Sequence, residues 1–277
     1  MNQARSPFMQ AVLEAHFPEF EIHSTGVAAV SGTSTLPGVQ QIAQEWGITM
    51  SKRFSTSLRD EHRFLLESDL VIVAEDSQEQ VIYNWGYSGK VVSCEHYMLD
   101  EMFVPLDPEG MSLDRARREL AKIASIALRL VNEELGSTGT HRTLSVIPNG
   151  SSDFGMALAT AQYEAHSRNA ILLDADFRAP MEDEFKDAHL SPVYFDVDEV
   201  IENGLPVVKE NEILVHRRQM EYPERFYLSP RWRKFTKACA RDREVVMVTA
   251  PRYAKTHTLP DSYIMGALAD EFLVVSA

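Results

Sequence analysis

The sequence predicts an α/β protein built from two doubly wound, mostly parallel sheets. Short apolar runs alternate with segments of helical periodicity along the whole chain. A small, polar, glycine-containing segment at 136–142 separates one such series from a second, as a linker would. We therefore expect two domains, residues 1–135 and 143–277, joined by a linker at 136–142.

In the first series, short apolar runs predict strands and apolar residues at helical spacing predict helices. The predicted strands are Phe20–Ser24, Leu70–Ala74 and Lys90–Ser93. The predicted helices are Pro7–His16, Gly38–Trp46 and Ser112–Leu135. Ser112 is a suitable N-cap for the last helix, because its hydroxyl can accept a hydrogen bond from a free backbone N–H.

The second series follows the same alternation and shows no internal repeat. Its predicted strands are Thr143–Ile147, Ala170–Leu173, Val245–Val248 and Phe272–Val275. A turn at 148–152 leads into a predicted helix, Phe154–His166. These apolar strands, flanked by helices, indicate a parallel sheet that is buried on both faces.

Composition and charge limit the classes of partner. The formal net charge of −14 argues against nucleic acid. No apolar run approaches the roughly 20 residues of a membrane span, and the N-terminus lacks signal-peptide features, so we expect a cytoplasmic protein without direct membrane insertion. Cys94 and Cys239 lie far apart without metal-ligand spacing, which predicts buried thiols and neither a disulfide framework nor a metal site. No cofactor is expected.

Four short motifs follow one another in the first half. They are Asn2-x-x-Arg5-Ser6-Pro7, His23–Gly26, Ser68–Glu75 and Val104–Pro108, the last shortly before the predicted helix at Ser112. Their order and spacing resemble the C-x5-R-S-P loop, two strand ends and the aspartate–proline loop of the low-molecular-weight protein tyrosine phosphatases. The resemblance implies a phosphatase I-like fold for residues 1–135, truncated before its first strand.

The resemblance also implies a phosphate site. Phosphate-binding residues would be Asn2, Gln3, Ala4 and Arg5, where a loop feeds a helix N-terminus that favours an anion. Arg5 would grip the equatorial phosphate oxygens, Ser6 would donate to a nucleophilic thiolate, and Asn2 would brace the loop. Asp107 would protonate the leaving phenolate. The predicted catalytic residues are therefore Arg5, Ser6 and Asp107.

The nucleophilic cysteine of this pattern would stand two positions before Met1. Neither Cys94 nor Cys239 is followed by arginine six residues later. Either an upstream segment supplies the cysteine and the first strand, or the domain has lost its activity. Glu109 also replaces an aromatic residue common in the family, which leaves the substrate preference open. An arsenate reductase on the same scaffold is a minor alternative, for which only Cys94 is suitably placed.

The second half carries Ile171–Arg178, which fits the pattern h-h-h-D-x-D-x-R. With Ala179-Pro180 it resembles the second Walker-type motif of bacterial tyrosine kinases that control capsule and exopolysaccharide export. The resemblance covers residues 140–277 and implies a P-loop NTPase-like fold. Asp174 and Asp176 would be the remnant of a nucleotide and magnesium site, or would cap the turn that follows their strand.

The residues that a kinase of this type needs are missing. The segment at 145–155, where the phosphate loop would lie, has no lysine, and Asp153 would repel a triphosphate. Val248 stands where the family has a second magnesium-binding carboxylate. We therefore predict a degenerate, pseudokinase domain.

Together, these resemblances predict phosphotyrosine hydrolysis linked to polysaccharide synthesis or export. The expected partners are a phosphotyrosine protein or kinase tail and a membrane protein of polysaccharide export. The alternative is that both halves are inactive and that the protein is a binding regulator.

Overall fold

The computed structural model describes residues 3–97, 106–135, 143–148, 153–178, 182–221, 223–249 and 261–275. The chain divides into two compact units, Met1–Gly136 and Ser137–Ala277. In the described residues, both units combine α-helices with parallel strands. The predicted α/β class with parallel sheets is therefore confirmed. The predicted linker at 136–142 lies outside the described residues.

The described part of the first unit contains two strands and five α-helices. The strands are β1 (Leu70–Val73) and β2 (Lys90–Ser93). The helices are α1 (Arg5–His16), α2 (Pro37–Glu45), α3 (His62–Glu67), α4 (Glu79–Asn84) and α5 (Leu113–Leu135). Short 3-10 turns, Asp76–Gln78 and Cys94–Tyr97, follow the two strands.

The described part of the second unit contains six strands and six α-helices. The strands are β3 (Thr143–Pro148), β4 (Ile171–Asp174), β5 (Ser191–Phe195), β6 (Glu212–His216), β7 (Val245–Val248) and β8 (Glu271–Val275). The helices are α6 (Phe154–Ser167), α7 (Glu182–Asp187), α8 (Val197–Asn203), α9 (Pro223–Tyr227), α10 (Pro230–Cys239) and α11 (Asp261–Leu268).

The sheet of the first unit brings its two strand ends together. β1 and β2 pair in parallel from Leu70↔Lys90 to Val73↔Ser93, so the segments that follow them leave from the same edge. A small hydrophobic core is formed by Val73 of β1 together with Leu58, Leu65, Ile82 and Tyr87. Helix α1 packs against α5, and the Ser112 Oγ atom accepts a hydrogen bond from Arg115 N at 3.4 Å, which confirms the predicted N-cap of α5.

The predicted strand Phe20–Ser24 is wrong, because this segment is irregular. A strand needs a neighbouring backbone to complete its ladder of hydrogen bonds. Here Phe20 N donates to the Phe17 carbonyl oxygen of a turn at 3.1 Å, and Lys52 Nζ donates to the Ser24 carbonyl oxygen. The Ser24 hydroxyl is held by Gln10 Oε1, to which it donates at 2.8 Å.

The second unit is organised around one parallel sheet of order β5-β6-β4-β7-β3-β8. β7 lies between β4 and β3, and all of its residues are buried. One face packs on a core that includes Leu158, Phe185 and Val215. A cluster of aromatic rings around Phe177 also packs in this unit. β8 is an edge strand, and its Val274 side chain is about half exposed.

Within the described residues, every helix is too short or too polar to cross a membrane.

Candidate functional site

Arg5 is the first residue of α1, at the end of a short segment anchored to the start of α2. The Gln3 carbonyl oxygen accepts a hydrogen bond from Leu36 N at 2.9 Å. Ala4 is buried, and its carbonyl oxygen accepts from Phe8 N at 3.2 Å. Asn2, the fourth predicted phosphate-binding residue, lies outside the described residues. This anchoring holds the Arg5 backbone at the N-terminus of a twelve-residue helix.

The structure brings Arg5 together with Asp107, although 102 residues separate them in the sequence. The Arg5 Nη2 atom lies 3.9 Å from Asp107 Oδ2. The same nitrogen lies 2.7 Å from Glu75 Oε1, a hydrogen-bonded ion pair. Because the Arg5 side chain is only 14% exposed, it is held at this place in the unit. Ser6, its neighbour in the first turn of α1, is half-buried, and its role stays a prediction.

A buried glutamate positions the Asp107 segment. The Glu119 side chain on α5 is 5% exposed, and its Oε2 atom accepts a hydrogen bond from Leu106 N at 2.9 Å. Asp107 Oδ1 in turn accepts from Glu109 N at 3.1 Å, closing a turn. Sequence reasoning missed both Glu119 and Glu75. For Glu119, a signal was present, since a glutamate lies on the apolar stripe of a helical pattern.

The two cysteines of the chain do not supply a ready nucleophile. Both are buried, Cys94 at the end of β2 and Cys239 on α10. Burial raises the pKa of the Cys94 thiol to about 12, although the charge of Arg5 acts in the opposite direction. Burial also raises the pKa of the Cys239 thiol. Both therefore remain thiols at neutral pH, and a thiol is a poor nucleophile.

Asp174 and Asp176 lie at the carboxyl edge of the second sheet. Both are buried, with exposures of 2% and 3%. Asp174 Oδ1 accepts a hydrogen bond from Asp176 N at 2.9 Å, and Asp176 Oδ1 accepts from Arg178 N at 3.1 Å. These two bonds cap the turn that follows β4, which is one of the two roles predicted for this pair of aspartates. The magnesium role stays a prediction.

Among the described residues, the adjacent end of β7 carries an apolar side chain in place of a carboxylate. Val248 pairs with Asp174 on one side and with Val146 on the other, and it is fully buried. The sequence predicts that a second magnesium-binding carboxylate is missing at this position, and the structure has the apolar side chain of Val248 there. Residues 149–152 of the loop predicted to replace the phosphate loop lie outside the described residues.

A cavity of about 640 Å³ lies at the opposite edge of this sheet. It is lined by the starts of β4 and β6 and by Gln162, Asn169, His189, Lys209 and Arg243, among others. Asn169 and His189 adopt left-handed backbone conformations, with φ of 51° and 57°. Asp174 and Asp176 are not among its lining residues, so the cavity is separate from the predicted nucleotide remnant.

Two curated relatives match part of the chain. The low-molecular-weight protein-tyrosine-phosphatase Ptp of Acinetobacter johnsonii is 29% identical over 98 residues, which is 35% of this chain and 68% of that protein. The phosphatase PtpB of Staphylococcus haemolyticus is 26% identical over 126 residues, 44% of this chain and 86% of that protein. Up to about half of the chain is similar to low-molecular-weight protein-tyrosine phosphatases. No protein-family model matches the chain.

Solved structures of phosphatases also align with about half of the chain. The tyrosine phosphatase Wzb from Escherichia coli K30, in complex with sulphate, is 22% identical and covers 49% of this chain and 92% of its own, with a TM-score of 0.42. The Erwinia amylovora tyrosine phosphatase amsI is 25% identical and covers 48% of this chain and 86% of its own, with a TM-score of 0.41.

Proposed function

We propose that the first unit is a protein-tyrosine-phosphatase domain that recognises the phosphate of a phosphotyrosine side chain. The contact between Arg5 and Asp107 carries the proposal. A guanidinium at a helix N-terminus can grip phosphate oxygens, while a carboxyl group a few ångströms away can reach the bridging oxygen. The similarity to two low-molecular-weight protein-tyrosine phosphatases supports it.

In the proposed reaction, a cysteine thiolate attacks phosphorus and the bond from phosphorus to the phenolic oxygen breaks. The Asp107 carboxyl group gives its proton to the departing oxygen, and Arg5 stabilises the charge on the equatorial oxygens. Water then attacks the phosphocysteine, gives a proton to the Asp107 carboxylate, and releases phosphate. The thiolate belongs six residues before Arg5, a position that precedes Met1. Before phosphate can bind, the Arg5 guanidinium must also break its ion pair with the Glu75 carboxylate.

The test measures hydrolysis of p-nitrophenyl phosphate by two proteins. One consists of residues 1–277, and the other also contains the residues encoded upstream in the same reading frame. We expect turnover only in the extended chain, with loss of at least tenfold in kcat on Asp107→Asn or Arg5→Lys. Asp114→Asn on the exposed side of α5 is the matched control and should leave turnover unchanged. An upstream reading frame that stops before any cysteine contradicts the hydrolytic proposal.

A second candidate function is phosphate recognition without turnover. The burial of Cys94 and Cys239 favours it, because neither thiol is available as a nucleophile while the Arg5 guanidinium can still bind a phosphate. In this case the protein of residues 1–277 binds a phosphotyrosine peptide but not its unphosphorylated form, and Arg5→Lys weakens that binding. Equal binding of the two peptides would contradict this candidate.

For the second unit we propose a degenerate, P-loop-like pseudokinase that docks the protein to a tyrosine-kinase tail or to a membrane protein of polysaccharide export. Tethering would raise the local concentration of the phosphorylated tail at Arg5. This linkage to polysaccharide control in the cytoplasm rests on the resemblance of residues 140–277. The capped, buried state of Asp174 and Asp176 supports the loss of kinase activity. Calorimetric titration with ADP and Mg²⁺ tests it, and tight magnesium-dependent binding would contradict it.

A further inference from the structure

We propose that Asp76, Glu79 and His96 form a binding site for a divalent transition metal ion of the zinc class. The three side chains lie in the first unit and have no part in the proposed phosphate chemistry. Each offers one ligand atom, and these atoms all lie within 4.8 Å of one another. The proposal concerns metal binding alone and stands whether or not the unit hydrolyses phosphate.

The imidazole of His96 lies between the two carboxylates. Its Nε2 atom is 3.4 Å from Asp76 Oδ2, and its Nδ1 atom is 3.8 Å from Glu79 Oε1. One ion takes a single nitrogen of the imidazole, and one ligand atom from each of the three side chains lies within 4.8 Å of the other two. A tetrahedral zinc ion with ligands at about 2.0–2.2 Å places its ligand atoms about 3.3–3.6 Å apart. Rotation of the exposed Asp76 and His96 side chains closes the remaining distance.

The fold brings the three residues together from two separate segments. Asp76 begins the 3-10 turn after β1, and Glu79 begins α4 three residues later. His96 lies in the 3-10 turn that follows β2. Because β1 and β2 are parallel and pair up to Val73↔Ser93, the two turns leave the sheet side by side.

A further bond connects the two turns. The Glu95 Oε2 atom accepts a hydrogen bond from Asp76 N at 2.7 Å, and Glu95 N donates to Ser93 Oγ at 3.2 Å. Glu95 thus fixes the backbone of one ligand relative to the segment that carries another. Fixed ligand backbones raise metal affinity, because less freedom is lost when the ion binds.

The ligand types determine the class of ion. Imidazole suits zinc, copper, nickel and iron, whereas magnesium and calcium prefer sites made of oxygen alone. Three protein ligands leave a fourth tetrahedral position open for water or another small ligand. The local charge also favours a cation, since Glu75 and Glu95 flank the three ligands in the sequence.

The experiment uses the full chain and two metal ions as probes. Zn²⁺ binding is measured by isothermal titration calorimetry, and Co²⁺ binding by its visible absorption bands, which are intense in tetrahedral sites. We expect one ion per chain, with affinity reduced about 10- to 100-fold in His96→Ala and in Asp76→Asn. Circular dichroism confirms that each variant is folded.

His166→Ala is the matched control. His166 is also exposed and also lies beside a carboxylate, that of Glu210, but in the second unit and without a third ligand within the described residues. The control variant should bind both ions as the unchanged protein does. Binding that survives His96→Ala and Asp76→Asn, or a chain that binds neither ion at 1 mM, would overturn the proposal.

Discussion

Arg5 is held by carboxylates, and this arrangement governs its availability to an anion. Glu75 forms the short ion pair and Asp107 lies beyond it. We predict that Glu75→Gln raises the affinity for inorganic phosphate about three- to tenfold, because the variant replaces a charged acceptor with a weaker neutral one and removes a negative charge that repels phosphate. Calorimetric titration with phosphate measures the change.

The matched control is Glu67→Gln, since Glu67 also forms an ion pair with an arginine, Arg63, but on the exposed surface of α3. It should leave phosphate affinity unchanged. If Glu75→Gln weakened phosphate binding instead, Glu75 would have to organise the site rather than compete for it.

Glu119 is the second residue on which the geometry of the site depends. Its buried carboxylate accepts from Leu106 N and forms an ion pair with Lys122 at 3.3 Å. We predict that Glu119→Ala lowers the free energy of unfolding by about 1–3 kcal/mol, because the Leu106 N–H loses the acceptor that a buried carboxylate supplies and the Lys122 ammonium group loses a nearby negative charge. Urea unfolding measures the loss.

Glu119→Gln retains an acceptor for Leu106 N and should cost less. Glu133→Ala, at an exposed carboxylate on the same helix that pairs with the largely buried Arg129, should lower the free energy of unfolding by less than Glu119→Ala does. A Glu119→Ala variant as stable as the parent would show that the buried carboxylate does not anchor the Asp107 segment.

At the scale of elements, strand β6 ends in a buried histidine that makes the second unit sensitive to pH. The His216 ring packs at 5.0 Å from Phe177 and 5.5 Å from Phe195, and its Nδ1 atom donates to the Arg218 carbonyl oxygen. Burial lowers the pKa of His216 below 6.5. That hydrogen bond and the charge of Asp196 act in the opposite direction, and the charges of Arg217 and Arg218 lower it further.

The folded state therefore disfavours the protonated ring relative to the unfolded chain. Stability from this group is complete above about pH 6.5 and is lost as the pH falls through the folded pKa, with a slope of at most about 1.4 kcal/mol per pH unit. Urea unfolding between pH 5 and 7.5, followed by tryptophan fluorescence, measures it. His216→Phe should flatten the dependence, whereas the exposed His166→Gln should not. Equal slopes for all three proteins would contradict the assignment.

Some elements with a clear apolar pattern were predictable from the sequence, and an element with exposed or polar positions was not. The run Val245–Val248 is buried on both faces and was predicted to the residue. β5, with its exposed and polar positions, lacks such a pattern and was missed. Phe20–Ser24 has the right composition for a strand, but within the part of the chain that the structure describes no strand pairs with it.

The candidate site divides in the same way. Arg5 and Asp107 could be found because their local motifs are distinctive, and the structure places them 3.9 Å apart. Glu75 and the three proposed metal ligands could not be singled out. They lie on segments that follow β1 and β2, and these segments meet only because the two strands pair in parallel.

For the whole molecule, the net charge of −14 makes the chain repel other polyanions. We predict that a DNA duplex of about 20 base pairs forms no complex with the protein at 150 mM salt and protein concentrations up to about 100 µM. A gel-shift assay tests this. Retarded DNA whose mobility returns with added salt would show a local basic surface strong enough to outweigh the overall charge.

The position of β3 in its sheet has a consequence for how the second unit forms during synthesis. β3 pairs with β7 and β8, from Thr143↔Val245 and Leu144↔Glu271 onward, so its neighbours emerge from the ribosome about a hundred residues later. Pairing across such long sequence separations slows folding, and β3 stays without its partners until they are translated. The nascent second half is therefore exposed to aggregation for longer than a domain built from hairpins.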